Sequence, residues 1–416
     1  MSNLIAKPRP RRVRATAVTA LTFACFCNLG WAQHDTPEPL RDITDLTLWY
    51  ESFDFTPHAS LQYEYDDNIY ATEDSEISDY VLLANLSGQM ASDWDRHAVK
   101  AGAGAKIARY QDYGSEDTED YWASLNGRYD LGADDNLFAS LSHAREHEAR
   151  GSIESVSGDE PTQYYKTQAN AGIKQGAGPW STTVAGNLVR YDYDDTPAGL
   201  TEINNDDRDR DESSLGVRIS YSASAQWSYF AQYRTDVRNY ESALDDALYE
   251  RDSTGHRIGV GFKAKYGERL DGELMLGALS QDYEDPRFDA IDTFDYQGSL
   301  GWYVSEKSHL KLAVAHSLEE TTLPGSPGYL YRQLSARWSQ RYTAQLFGQF
   351  TASYGQAEYQ QSAISDDYYD VGAGLTRSFA RGVLGSINLR HVQRDSNQPG
   401  DDFSRNQVGV SVSARF

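Results

Sequence analysis

The segment LQYEYDDNIYATEDSEISDYVLLANLSG, residues 61–88, joins two alternating apolar stretches through an acidic patch. Leu61, Tyr63 and Tyr65 alternate with polar residues before the patch, and a second alternation follows it. A period of two indicates β-strands that have one apolar and one polar face. A soluble hairpin with a polar loop is the simplest interpretation, so the rest of the chain must decide whether the sheet is larger.

The same period continues from about His58 to the end of the chain. Clear examples are residues 214–221, 257–266 and 294–304, each with one apolar and one polar face. At roughly 10 to 14 residues these strands exceed the usual 5 or 6 of globular proteins. Their length matches a strand that crosses a bilayer at a tilt.

Short and long connections alternate between the strands. The short ones are residues 92–96, 132–136, 176–179, 222–226, 266–270, 305–308, 339–342 and 379–382. Longer polar stretches lie between them, as expected for periplasmic turns and external loops of an up-and-down barrel. The sequence therefore predicts an all-β, transmembrane, antiparallel β-barrel over residues 57–416. The count is about eighteen strands, with sixteen as the alternative because residues 180–193 and 329–338 alternate imperfectly.

The N-terminus predicts export. Five basic residues precede the uncharged run ATAVTALTFACFCNLGWA, so residues 1–32 are interpreted as a signal peptide cut after Ala32. Both cysteines, Cys25 and Cys27, lie inside this leader, which excludes disulfides from the exported chain. Residues 33–56 are interpreted as a periplasmic segment or a plug. The predicted location is the outer membrane of a Gram-negative bacterium.

Composition narrows the classes of protein further. The formal net charge is −24, which argues against a nucleic-acid partner. Mean hydropathy is −0.65, and no segment after the leader reaches 18 consecutive apolar residues, which excludes a helical membrane protein. The many aromatic residues, 29 Tyr, 14 Phe and 8 Trp, suit strands and the aromatic girdles of a barrel.

The final strand, QVGVSVSARF at residues 407–416, ends on an aromatic residue. It resembles the C-terminal recognition signal of bacterial outer-membrane barrels. Ala414 and Gly409 depart from the common form of that signal. The expected partners are therefore the barrel assembly machinery, through the strand that ends at Phe416, and the lipid and lipopolysaccharide of the outer membrane.

A family resemblance rests on YEYDDNIYATEDSEISDY (63–80) followed by SDWDRHAVKAGAG (92–104). This stretch resembles the start of the putative β-barrel porin 2 family, outer-membrane proteins often associated with exopolysaccharide production and export. The resemblance covers roughly residues 57–416. It implies a barrel fold and a link to polysaccharide, and it implies no catalytic residue.

The face opposite the lipid holds the candidate functional residues. A basic side chain on the lipid face near the midplane would cost roughly 2 to 4 kcal/mol, so alternation is expected to place such residues in the lumen. The predicted lumen-lining residues are Lys100, Lys106, Arg128, Lys166, Arg218, Arg234, Arg257, Lys311, Arg337 and Arg390. The acids predicted to point inward are Glu64, Asp130, Asp236, Asp271, Glu273, Asp295 and Asp370.

Two interpretations of this inner face remain open. Rings of Arg or Lys select anions, so a basic ladder would guide an anionic solute. Alternatively, the inward bases and acids simply pair with one another across the wall, as polar barrel interiors generally do.

No motif predicts chemistry. The acidic stretch NNDDRDRDE (204–212) lacks the spacing of a calcium loop, so a solvated loop is favoured over a Ca²⁺ site. His143 and His147 lie four residues apart on a strand, which separates them by roughly 13 Å, too far for one metal ion. We expect no catalytic residue, no metal and no cofactor, and the chain is not predicted to be an enzyme.

The predicted function is a channel that passes or exports a polysaccharide, and an anionic polysaccharide is expected. A general diffusion porin for small solutes is the first alternative, and a structural or adhesive barrel with a closed lumen is the second. Fold alone does not choose among them.

Overall fold

The structure is a computed structural model that describes residues 48–50 and 52–415. It consists of eighteen long antiparallel strands that form one closed sheet. The first nine are β1 (Phe53–Asp66), β2 (Asp79–Ser92), β3 (Ala98–Tyr110), β4 (Thr118–Asp130), β5 (Asn136–His147), β6 (Gln163–Ala177), β7 (Trp180–Tyr193), β8 (Arg210–Ser222) and β9 (Trp227–Tyr240). The second nine are β10 (Ser253–Tyr266), β11 (Leu270–Tyr283), β12 (Ile291–Ser305), β13 (Ser308–Glu319), β14 (Tyr329–Arg341), β15 (Leu346–Tyr359), β16 (Ser365–Ala380), β17 (Val383–Ser396) and β18 (Phe403–Arg415).

The predicted barrel and its count of eighteen strands are confirmed, and both segments of imperfect alternation, now β7 and β14, are strands. Three short strands lie outside this set: Leu48–Tyr50 pairs with the start of β1, and Thr196–Ala198 pairs with Thr201–Ile203. The remaining elements are two 3₁₀ turns, Gly114–Glu116 and Asp206–Arg208. No helix in the described part of the chain is long and apolar enough to span a membrane.

Strand β1 begins at Phe53 rather than at the predicted residue 57. The reason is that the alternation extends to Phe55, whose side chain is exposed on the outer face. Part of the predicted 33–56 segment therefore belongs to the barrel. The predicted signal peptide and residues 33–47 lie outside the described residues, as does Phe416.

Closure of the barrel joins its first and last strands. His58 to Asp66 of β1 pair with residues 407–415 of β18. Side chains extend this seam, because both the backbone N–H and the amide of Asn406 donate to the carboxylate of Asp67, at 2.6 and 2.7 Å. Gln407 donates to Asp66 at 2.8 Å.

The outer surface has the layout of a membrane-facing barrel. Large aliphatic side chains such as Leu141 and Leu188 remain more than half exposed at mid-strand, where a soluble protein would bury them. Exposed aromatics lie toward both strand ends. One belt contains Tyr63, Tyr80, Tyr121, Tyr233, Tyr354 and Tyr369, and the other contains Tyr129, Trp180, Trp227, Tyr266, Trp302 and Trp338. Two aromatic belts around an aliphatic band are typical of outer-membrane barrels.

A charged residue placed in the aliphatic band tests which face of the strand points outward. We expect Leu141→Arg to destabilise the barrel by roughly 2 to 4 kcal/mol, because Leu141 lies at mid-strand between the outward side chains of Leu125 and Ala169. Ser140→Arg is the matched control, since its cross-strand neighbours Asn126 and Asn170 are polar. Urea unfolding in lipid vesicles measures both variants. Equal destabilisation would contradict the assignment of the two faces.

The two ends of the barrel differ. Turns of two to five residues connect the strands at one end, called here the turn end. Nine loops of five to sixteen residues, eight of which are longer than any turn, lie at the other, called here the outer end. They are L1 (67–78), L2 (111–117), L3 (148–162), L4 (194–209), L5 (241–252), L6 (284–290), L7 (320–328), L8 (360–364) and L9 (397–402).

Candidate functional site in the barrel lumen

The structure places all ten predicted lumen-lining residues on the inner face. Their positions follow from the strand registers, since each shares a face with inner residues of its neighbours and alternates with exposed apolar side chains. The seven acids predicted to point inward lie on the same face. A role of these residues in permeation stays a prediction.

Ion pairs join several of these bases to acids of that set. Arg128 pairs with Asp130, Arg218 pairs with Glu273, and Arg390 pairs with Asp370, each at 2.8 Å. These pairs agree with the interpretation in which inner charges match one another along the wall.

Two pairs of bases also lie next to each other. Arg234 lies directly opposite Arg257 in the β9–β10 register, and Lys311 lies directly opposite Arg337 in the β13–β14 register. Like charges directly opposite each other destabilise a sheet. Acids also act on these bases, since Asp295 and Asp236 interact electrostatically with Arg257. Both pairs lie on the inner face, which makes them candidates for contact with a solute.

The three remaining bases have polar or aromatic neighbours. Lys100 lies opposite Asn126, and Lys106 lies opposite Asp120. The ammonium of Lys166 lies 5.0 Å from the ring centroid of Tyr191, a cation–π distance.

Several inner-face charges near the outer ends of the strands were not predicted from the sequence. Asp66, Arg210, Glu212, Asp366, Arg394 and Arg405 all point inward. Arg210 pairs with Glu212 at 2.9 Å, and Arg394 pairs with Asp366 at 2.9 Å. Extending the alternation to the last residues of each strand would have found them. In the outer half of the lumen, basic and acidic side chains therefore pair with one another.

Loop L3 crosses the lumen, which the sequence did not predict. It leaves the wall between β5 and β6, and Ile153 packs against the cluster of Tyr329, Ala357 and Tyr359 on the opposite wall. The carboxylate of Glu154 accepts hydrogen bonds from the hydroxyl of Tyr359 at 2.9 Å and from Thr321 of L7 at 3.0 Å.

The base of L3 is also fixed. Arg150 forms two hydrogen bonds with Glu116 of L2, at 2.8 and 2.7 Å, and its carbonyl accepts one from Arg405 at 2.8 Å. Gly151 has a φ of +80°, and a Cβ there would lie 2.6 Å from the ring of Phe403. Only glycine suits this approach of the loop to the wall.

Burial changes the acidity of two loop carboxyl groups. It raises the pKa of Glu154 to about 7, although the bonds from Tyr359 and Thr321 oppose this shift. It also raises the pKa of Asp209, at the end of L4, to about 6. Glu154 therefore changes its charge near neutral pH at the point where L3 meets the opposite wall.

Loops L5 and L7 are joined through one buried arginine. The guanidinium of Arg251 is ion-paired with Asp245 at 2.7 Å, and both side chains are almost completely buried. Arg251 also donates to three carbonyl oxygens of L7, among them Ser326 at 2.7 Å and Leu323 at 3.2 Å. L7 is thereby held inside the mouth.

Charged side chains of the acidic stretch 204–212 form hydrogen bonds and ion pairs with other residues of the protein. Asp209 accepts from the backbone N–H of Tyr193 at 2.6 Å, and Asp211 pairs with Arg190 at 2.6 Å. Arg208 pairs with Glu148 of L3. Within residues 48–50 and 52–415, no group of three or more His, Cys, Asp or Glu side chains is arranged to hold a metal ion.

The two histidines have separate partners. His143 contacts the hydroxyl of Thr167 at 2.9 Å, and His147 contacts Asp120 at 2.7 Å.

Comparison with known families agrees with this architecture. Residues 50–416 match the family described as putative beta-barrel porin 2. The chain belongs to this family. It is therefore an outer-membrane β-barrel of the porin type, and the resemblance seen in residues 63–104 is confirmed. No curated protein matches the porin by sequence.

Several solved structures are similar to this porin. OpdK from Pseudomonas aeruginosa is 12% identical with a TM-score of 0.47, covering 87% of this chain and 99% of that chain. A BenF-like porin from Pseudomonas fluorescens Pf-5 is 8% identical with a TM-score of 0.48, covering 87% and 99%. OccAB4 from Acinetobacter baumannii is 11% identical with a TM-score of 0.45, covering 88% and 98%.

Proposed function

We propose that this porin passes anionic solutes, and specifically an anionic polysaccharide, through its lumen. One observation carries the proposal: Arg234 lies opposite Arg257, and Lys311 lies opposite Arg337, on the inner face. Cationic side chains that line a pore favour anions over cations. No chemical step is required of the barrel, because a channel acts through the shape and charge of its wall.

The lining around the first pair is polar and rich in arginine. Arg234, Arg257 and Arg238 surround a small cavity together with Asn187 and Ser214. Glu212 and Asp236 also line it, so this part of the wall carries both hydrogen-bond donors and acceptors. A sugar polymer that carries carboxylate groups combines both kinds of partner.

A barrel with a closed lumen is the second candidate, favoured by the crossing of L3 and by its contacts at Tyr359 and Thr321. Single-channel recording of the refolded porin in a planar bilayer separates the two. Steady conductance with anion preference supports the proposed channel. A correctly folded barrel without conductance would support the closed lumen.

Removing the central arginines is expected to weaken the anion preference. One unit charge about 4 Å from a passing ion contributes about 1 kcal/mol in water, or about five-fold in relative permeability. We therefore expect Arg234→Ser with Arg257→Ser to lower the anion-to-cation permeability ratio at least about five-fold. Reversal potentials in a salt gradient measure the ratio.

The control is Arg190→Ser. Arg190 is 57% exposed on the outer face, where it pairs with Asp211, so its loss changes the net charge without changing the lumen. We expect it to leave the permeability ratio unchanged. An unaltered ratio in the double variant, with folding verified by its heat-dependent gel mobility, would refute the role of the central pair.

A further inference from the structure

Charge is distributed unequally along the barrel axis. In loops L1 to L9 the basic residues are Arg150, Arg208, Arg251 and Arg287, whereas acidic residues are several times as numerous. Each of these four arginines is ion-paired with an acid. The outer end therefore presents excess negative charge to a solute that approaches from outside.

The turn end has the opposite character. Ten basic side chains lie on the inner face within the five residues nearest the turns. Arg128 and Arg218 are ion-paired there with Asp130 and Glu273, and Arg341 and Arg415 are the last residues of β14 and β18. We call the other six the turn-end rim: Lys100, Lys174, Lys263, Lys265, Lys311 and Arg337. They belong to β3, β6, β10, β13 and β14, so they surround much of the circumference.

Acids match only part of this rim. Lys263 lies opposite Glu273, and Lys265 lies opposite Asp271. Glu273 is also paired with Arg218 at 2.8 Å, so one carboxylate there serves two bases.

Elsewhere the cross-strand neighbours of the rim carry no negative charge. Lys100 lies opposite Asn126 and Ala91, and Lys174 lies opposite Asn136 and Thr183. Arg337 lies between Lys311 and Thr351. Asp54 and Asp130 are the other inner-face acids in this zone, and Asp130 is paired with Arg128. With Asp271 and Glu273 these make four inner-face acids against ten bases, so the inner wall of the turn end carries a positive excess.

Accessibility favours binding over a purely structural role. Lys100, Lys263, Lys265 and Lys311 are exposed, and Lys174 and Arg337 are partly exposed. A basic ring at the mouth of a low-dielectric barrel concentrates anions and raises their association rate by roughly 10- to 1,000-fold. A polyanion would contact several rim residues at once, and such multivalent contacts add to its retention.

We infer that the turn-end rim is a capture site for a polyanionic saccharide, and that such polymers therefore enter this porin from the side of its turns. This inference rests on the proposed anion pathway and adds a binding site and a side to it. The acidic loops at the outer end repel the same polymer. The polymer is consequently captured at the turn end and not at the outer end.

Sided block of the current tests the inference. The refolded porin is inserted into a planar bilayer, and its orientation is assigned by an antibody against a tag placed before Phe53. A short oligogalacturonate is then added to one chamber at a time, with a neutral maltooligosaccharide as the control solute. We expect a blocking rate from the turn side at least about ten-fold above that from the loop side, falling steeply with salt.

A variant with Lys100, Lys174, Lys263 and Lys311 replaced by serine is expected to lose this asymmetry. The matched control replaces Arg109, Arg190, Arg332 and Arg377, which lie on the outer face, and so removes the same charge. We expect oligogalacturonate to block this control variant with the same asymmetry as it blocks the wild type. Equal block from both sides in an anion-selective wild type would overturn the capture site and leave the proposed function intact.

A wild-type channel that conducts without preferring anions would instead overturn the proposed function. If the refolded porin shows no conductance, its binding affinity for oligogalacturonate is measured in place of current. Detergent-solubilised porin should bind oligogalacturonate at least about ten-fold more tightly than the rim variant. Equal affinities would overturn the inference.

Discussion

Replacement of Arg251 by alanine is expected to release L7 from the outer mouth while the barrel stays folded. The substitution leaves Asp245 buried without its ion pair and removes the donor to three carbonyl oxygens of L7. Breaking a buried pair by removing one partner costs about 3–5 kcal/mol. The loss falls on L5 and L7, because strand pairing does not involve this side chain.

Hydrogen exchange and limited proteolysis measure this release. We expect residues 241–252 and 320–328 to become accessible and single-channel conductance to increase. Arg251→Ala combined with Asp245→Ala should recover part of the loss, since it removes the uncompensated carboxylate. Arg332→Ala is the control: its pair with Glu358 is more than 40% exposed on both sides and contributes at most about 1 kcal/mol. Unchanged protection of both loops in Arg251→Ala would contradict the proposed link.

Docking of L3 is expected to weaken as pH rises toward neutrality. Burial raises the pKa of Glu154 to about 7 in the docked loop from an ordinary value of 4.5. The docked state therefore binds the proton more tightly than the released state. The resulting stabilisation is fully present below pH 4.5 and is lost as pH rises through about 7. The total change is about 3 kcal/mol, since one pKa unit corresponds to 1.36 kcal/mol.

Exchange protection of residues 148–162 and channel open probability, recorded between pH 4.5 and 8, measure this effect. We expect protection to fall and open probability to rise with pH. Glu154→Gln should remove most of the dependence, because glutamine keeps an acceptor for Tyr359 and Thr321 without ionising. Glu148 and Arg208 lie near Glu154, and their own ion pair persists in that variant. An identical pH profile in both proteins would exclude Glu154 as the titrating group.

The barrel itself was predictable from sequence. A residue on a strand has only two faces to occupy, so the side of Leu215 or Arg218 follows from its position parity. The same argument gave eighteen strands from the alternation and from the regular exchange of short and long connections. It also assigned Arg234 and Arg257 to the inner face. That these two residues lie directly opposite each other is known only from the register of the strands.

The arrangement of the outer mouth was not predictable in this way. Loops have no period, so the sequence does not indicate that L3 folds across the lumen or that L7 is held by Arg251. A partial signal did exist. Single arginines within strongly acidic loops, such as Arg208 and Arg251, are the residues that form the buried pairs. Their contrast with the surrounding charge would have marked them as anchors.

The seam between β1 and β18 has a consequence for how the chain folds. Every other long-strand pairing joins neighbours in sequence, whereas this one joins residues more than 300 positions apart, such as Asp66 and Gln407. Closing a chain segment of that length costs about 5 kcal/mol of entropy, against much less for each hairpin. Hairpins should therefore assemble in succession and the seam should form last. Until it does, the chain is a curved open sheet with two unpaired edges, the stage at which aggregation competes with productive folding.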